Sequence, residues 1–158
     1  MNSKPPVSSR KSQTPKTPRA SAPASASAPS NGRAANGRTV VAVLMQLQSD
    51  VKVFHWRTHS FAAHKAADEL HATLIDKIDQ FVEQFMGRHG RVGFGARGVT
   101  LKLHDVSTAQ FSKILRTSAG FLVKSLPNSL ASNDVDLLTL RDDILGAIRK
   151  TQYLMTLK

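Results

Sequence analysis

Residues 53–85 read VFHWRTHSFAAHKAADELHATLIDKIDQFVEQF, and the spacing of their apolar side chains decides the fold class. Ala63, Ala67, Leu70, Leu74, Ile78, Phe81 and Phe85 recur every three or four positions. That is the period of one face of an α-helix, which completes a turn in about 3.6 residues. The stripe predicts a helix from about residue 61 to 87, with Gly87 as its stop.

The same period extends in both directions. Val40, Val43, Leu44, Leu47, Val51 and Phe54 predict a first helix near 39–58. Beyond a glycine-rich connection, Ser107-x-x-Gln110 has the form of a capping box, in which each side chain satisfies the other's free backbone N–H. It opens a third helix carrying Phe111, Ile114, Leu115, Phe121 and Leu122, which Pro127 and Asn128 break. A fourth, from about 133 to 157, carries Leu137, Leu138, Ile144, Leu145, Ile148 and Met155. No alternating strand pattern is present. The expectation is an all-α four-helix bundle over residues 39–158, with one longer connection between the second and third helices.

Composition limits the chemistry. The 158 residues leave room for one domain and a tail, and a hydrophobic content of 41% is enough for a core. No apolar run approaches a membrane span, so a soluble protein with no membrane partner is expected. Cysteine is absent, which excludes disulfides, thiolate zinc sites, iron–sulfur clusters and a cysteine nucleophile. Any metal must be held by nitrogen and oxygen. The formal net charge of +11 points to polyanionic partners.

Much of that charge lies in residues 1–38, which hold six of the seven prolines, no acid, and Lys4, Arg10, Lys11, Lys16, Arg19, Arg33 and Arg38. With little to bury, this segment is expected to be a disordered basic tail. Each cation placed on a phosphate releases counterions, so the expected use is DNA binding without sequence preference. Thr14-Pro15-Lys16 and Thr17-Pro18-Arg19 resemble the Thr-Pro-basic repeats of histone tails. A solubilising linker is the plainer alternative.

The quoted stretch also gathers His55, His59, His64 and His71, four of six histidines, with Asp68, Glu69, Asp76, Asp79 and Glu83, five of eleven acids. Taking His64 as zero on the helical wheel, Asp68, Asp79 and Glu83 lie at about 40°, 60° and 100°, along one edge of the apolar stripe. Mixed imidazole and carboxylate suit Fe(II), Mn(II) or Zn(II). His64 and Asp68, like Asp79 and Glu83, are one turn apart and can share an ion. Asp68 and Asp79, however, are about 16 Å apart along the axis. Either there are two sites, or the pairs meet across two chains related by a two-fold axis. The shared site is the expectation. The plain alternative is a polar interface without an ion.

His55-Trp56, Phe61, His64, Asp68, Leu74-Ile75-Asp76, Asp79 and Glu83 together resemble the Dps mini-ferritins. The resemblance is close over about 30 residues and looser over the four-helix pattern. It implies that His55, His64 and Asp68 of one subunit, with Asp79 and Glu83 of its neighbour, bind Fe(II) and pass its electrons to dioxygen or peroxide. It also implies a homo-oligomer, a dodecamer in that family, that stores iron and holds DNA through its tails. Three features depart from the pattern: a shorter Trp56–His64 spacing, a connection too short for the family's interface helix, and a tail rich in proline and arginine. A ferritin-like family of large DNA viruses is a second resemblance. Cytoplasmic, nucleoid-associated or virion placement follows, with no secretion signal.

Other residues receive plainer readings. Trp56 is expected to be an interface anchor. His59, His71 and Asp76 are expected at the surface or behind the ligands. Gly93-Phe94-Gly95-Ala96-Arg97-Gly98 has the letters of a dinucleotide motif but no strand before it, and reads with Arg88, Arg91 and Lys102 as a flexible basic loop. The competing class of function is a non-enzymatic structural or nucleic-acid-packaging protein, as in a virion, that retains the bundle; a purely structural zinc or manganese ion is a third.

Overall fold

The computed structural model describes residues 1–3 and 31–157, with backbone alone for 31–36. The tail cations Lys4, Arg10, Lys11, Lys16 and Arg19 lie outside the described residues. Four α-helices carry the chain: α1 (Asn31–Arg57), α2 (Phe61–His89), α3 (Thr108–Gly120) and α4 (Val135–Leu154). There is no strand among the described residues.

Each helix packs against two others: α1 on α2 and α3, and α4 on α2 and α3. Three residues separate α1 from α2, so the two run antiparallel as a hairpin. Ion pairs fix α4 antiparallel to α2: Glu69 with Lys150 at 2.9 Å, Lys77 with Asp143 at 3.3 Å, and Arg88 with Asp134 at 2.8 Å. Along α1 and α3 the numbering also runs in opposite senses, from the stacked rings of Phe54 and Phe111 (3.9 Å) to a cleft shared by Val43 and Thr117. The directions are therefore up, down, down, up, and the chain must travel the length of the molecule between α2 and α3.

Residues 90–107 make that journey as an extended strap along α1. Arg38 Nε donates to the Gly93 carbonyl at 2.8 Å. The Gln46 amide exchanges two 2.8 Å hydrogen bonds with the backbone of Lys102. Arg57 meets Asp105 at 3.1 Å. From Arg38 to Arg57 is about 28 Å of helix. The expected flexible loop is thus a pinned connection. Its Gly-x-Gly letters form a turn in which the Gly98 N–H reaches the Gly95 carbonyl at 3.1 Å.

The core is the predicted stripe. Val40, Leu44, Leu47, Val51 and Phe54 of α1 are buried against Leu70, Leu74, Ile78, Phe81 and Phe85 of α2, and Leu115, Leu122, Leu137, Ile144 and Ile148 complete it. Each such side chain contributes about 1.5–3 kcal/mol on leaving water.

Boundaries differ from expectation where packing overrides composition. Helix α1 begins at Asn31 rather than near residue 39, which places Arg33 and Arg38 in the helix and not the tail. A Cβ on Gly37 would come within 2.6 Å of the Phe85 ring, so only glycine lets α1 pass there. Gly87 does not stop α2. Gly90 does, at φ 86°, with its N–H returning to the Met86 carbonyl. The capping box of Ser107 and Gln110 is present. Past Gly120 the helix continues as a π turn (Phe121–Ser125) and a 3-10 turn (Leu126–Ser129), so Pro127 falls in a tightened end rather than a break.

Candidate metal centre

His55 sits in the last turn of α1 and His64 in the first turn of α2, and the short hairpin turn presses them together. Ser60 starts α2 by accepting the Ala63 N–H, which sets His64 opposite the end of α1. The rings stack with centroids 4.0 Å apart and planes at 28°. His64 Nδ1 lies 3.0 Å from the His55 carbonyl oxygen. A carbonyl oxygen only accepts, so Nδ1 carries a proton, and in the neutral ring the lone pair is on Nε2. This is the arrangement that orients an imidazole for a metal.

His55 is in the complementary condition. Its Nδ1 is buried and has no hydrogen-bond partner among the described residues. Asp68 Oδ1 stands 3.7 Å away, beyond hydrogen-bond range. Asp68 itself is half exposed. A buried nitrogen left without a partner costs about 1–3 kcal/mol. The donor set of imidazole nitrogen and carboxylate oxygen fits an ion such as Fe(II), which would satisfy that nitrogen and Asp68 together.

His71, half-buried on the next turn, belongs to the same neighbourhood. Burial pushes its pKa down, and the charges of Lys52 and His55 add to that, while Asp68 opposes them. His59 is exposed. Trp56 is 67% exposed, with Lys52 Nζ 5.6 Å from its ring centroid, so its ring faces out from the hairpin.

Asp79 and Glu83 are exposed farther along α2 and do not join His55, His64 and Asp68 within one chain. No group of three or more His, Asp or Glu able to hold an ion occurs among the described residues. A groove of about 700 Å³ bounded by α1 and α2 is lined by Val41, Met45, Ile75 and Val82 with Asp76 and Asp79. Met45 and Ile75 are 36% and 48% exposed, and Phe94, Val99 and Leu101 of the strap continue the apolar surface past Val41 and Met45.

The residue pattern did not reveal a second His–Asp pair. Asp134, at the start of α4, is fully buried and accepts from His89 Nε2 at 2.8 Å, Arg88 at 2.8 Å and the Ala131 N–H at 2.7 Å. Burial pushes its carboxyl up, but the Ala131 and His89 hydrogen bonds and the His89 and Arg88 charges outweigh that and hold it below the usual value. Arg88 is therefore committed to the fold and is not part of a basic loop. The one local cue was Asp134 ahead of a helical stripe, the position of an N-cap. Glu69 and Asp76 pair with Lys150 and Lys77.

No solved structure matches the chain. An uncharacterised 14.6 kDa protein from the mobD–ri intergenic region of Enterobacteria phage T4 is 29% identical over 128 residues, 81% of this chain and 94% of that protein. A family of unknown function (DUF5856) matches residues 55–155, from the first histidine of the centre to the end of α4. That span is more than half of the chain, and the chain belongs to this family.

Proposed function

We propose that the protein is a Dps-like mini-ferritin whose Fe(II)-oxidising centre is shared between two chains. The observation that carries this reading is the buried, unpartnered His55 Nδ1 beside Asp68 and the oriented His64, an incomplete set in one chain. An antiparallel two-fold neighbour packed on the apolar groove of α1 and α2, which Asp79 lines, brings its own Asp79 and Glu83 to this set. Support also comes from the up-down-down-up course with one long crossover, the connectivity of ferritin-like bundles.

In this reading His55, His64 and Asp68 bind the substrate ion, and the partner's two carboxylates hold the charge that grows as Fe(II) becomes Fe(III). Two ferrous ions supply the two electrons that reduce one dioxygen to peroxide, or one peroxide to water. Mn(II) or Zn(II) occupies the same donors without that chemistry. The tail holds DNA without sequence preference, through Lys4, Arg10, Lys11, Lys16 and Arg19, with Arg33 following at the start of α1; Arg38 is engaged by the strap.

The test is complementation. A chain with His55→Ala and His64→Ala and a chain with Asp79→Ala and Glu83→Ala should each be unable to oxidise Fe(II) rapidly in air. A mixed dimer has one centre doubly damaged and one intact, so it should recover about half the wild-type rate. No recovery in a verified mixed dimer would refute the shared centre, and undiminished oxidation by either variant would refute the residues.

A further inference from the structure

A second cleft, of about 290 Å³, opens between α1 and α3. It lies on the flank of α1 opposite the groove, since Val43, Leu47 and Asp50 are on average about half a turn from Val41, Met45 and Gln48. Val43, Leu47 and Ile114 form apolar walls, Lys113 and Thr117 stand exposed at the mouth, and Asp50 lines the cleft.

Asp50 is 7% exposed. One of its oxygens accepts from Gln46 Nε2 at 2.8 Å, the amide that also grips Lys102 of the strap. No other hydrogen bond reaches the carboxylate among the described residues, although an ionised carboxylate can accept about four. Burial raises its pKa, opposed by the Gln46 hydrogen bond and the charge of His104. Buried carboxylates ordinarily find several donors or a counter-charge. This one borders a cavity instead.

We propose that the cleft binds a small aliphatic ammonium compound, its N–H groups on Asp50 and its hydrocarbon body on Val43, Leu47 and Ile114. A primary ammonium brings three donors and one positive charge to a carboxylate that has one hydrogen bond, from Gln46, and the charge of His104. A neutral apolar molecule would leave Asp50 as it is, and an anion would be repelled. Lys113 can extend its ammonium into water on a flexible stem, so its presence at the mouth does not close the site. The volume suits a ligand of fragment size. The cleft shares no residue with the iron centre, so the two stand or fall separately.

The experiment titrates the full chain with isoamylammonium chloride against sodium chloride at equal ionic strength, by calorimetry and by backbone and methyl NMR. Saturable binding is expected, with shifts at Leu47 and Ile114. Isoamyl alcohol, of the same shape without the charge, should bind at least about tenfold more weakly. Asp50→Asn keeps an acceptor for Gln46 but removes the charge, and should weaken the amine by a similar factor while the circular dichroism stays unchanged. Ile114→Trp fills the cleft and should abolish binding with Asp50 intact. Absence of saturable binding, equal binding of amine and alcohol, or indifference to Asp50→Asn would each overturn the proposal.

Discussion

Near each end of α2 a histidine stands beside an aspartate, His55 by Asp68 and His89 by Asp134 of the α4 N-terminus, and the two pairs are built differently. At the far end His89 Nε2 sits 2.8 Å from Asp134, which also takes Arg88 and the Ala131 N–H, and the Phe85 ring lies 4.8 Å from the imidazole. The buried carboxylate and the imidazole there satisfy each other. At the hairpin turn His55 Nδ1 is 3.7 Å from Asp68, buried, and without a hydrogen bond among the described residues. A closed network holds the fold. The open one is where the proposed shared centre takes its ion.

The largest consequence of this contrast concerns Asp134. Replacing it with Ala strands a buried imidazole and an arginine, and should cost about 3–5 kcal/mol in urea denaturation. Asp68→Ala, at the open end, should change stability by no more than about 0.5 kcal/mol, as for a surface position. Equal losses would mean the two ends are alike. The Asp134 carboxyl is held below its ordinary 3.8 in the folded state, so its contribution is complete above that pH and is lost as pH falls through the lower, folded value. Acid titration of unfolding for wild type and Asp134→Asn reads this directly.

Next in size is stabilisation by a redox-inactive ion. Zn(II) at about 100 times its dissociation constant should add about 2.7 kcal/mol to the wild-type protein. His55→Ala should erase the gain, and Asp134→Asn should leave it. Thermal melts with and without the ion decide between the two ends.

Removal of residues 1–30 spares α1 and sets the tail against the helices. The salt dependence of DNA binding should become shallower by about 0.9 in log–log slope for each phosphate that the shortened chain no longer neutralises, with Fe(II) oxidation unchanged. The smallest effect belongs to His71. Its folded pKa lies below the ordinary 6.5, so the unfolded chain binds the proton first and stability declines as pH falls from about 6.5 towards the folded value. His71→Gln should flatten that decline.

Residues 53–85 show how far local pattern reaches. Ala63, Leu70, Leu74, Ile78, Phe81 and Phe85 are all buried where their spacing put them, and Ser107 with Gln110 caps α3 as their letters require. Gly87 misled because a glycine in a helix costs only about 1 kcal/mol, which the packing around Phe85 and His89 outweighs. The local sequence of the strap has the character of a flexible loop because its anchors, Arg38, Gln46 and Arg57, are 48 to 56 residues from the atoms they hold.

What the order of residues determined by itself was the helical class, the inward face of each helix and the identity of the His and acid groups, since all three follow from a period of a few residues. Tertiary structure alone decided which of those groups meet. It stacked His55 on His64, sealed His89 against Asp134 and kept Asp79 and Glu83 apart from both, because contact across helices depends on register and burial that no short-range spacing encodes.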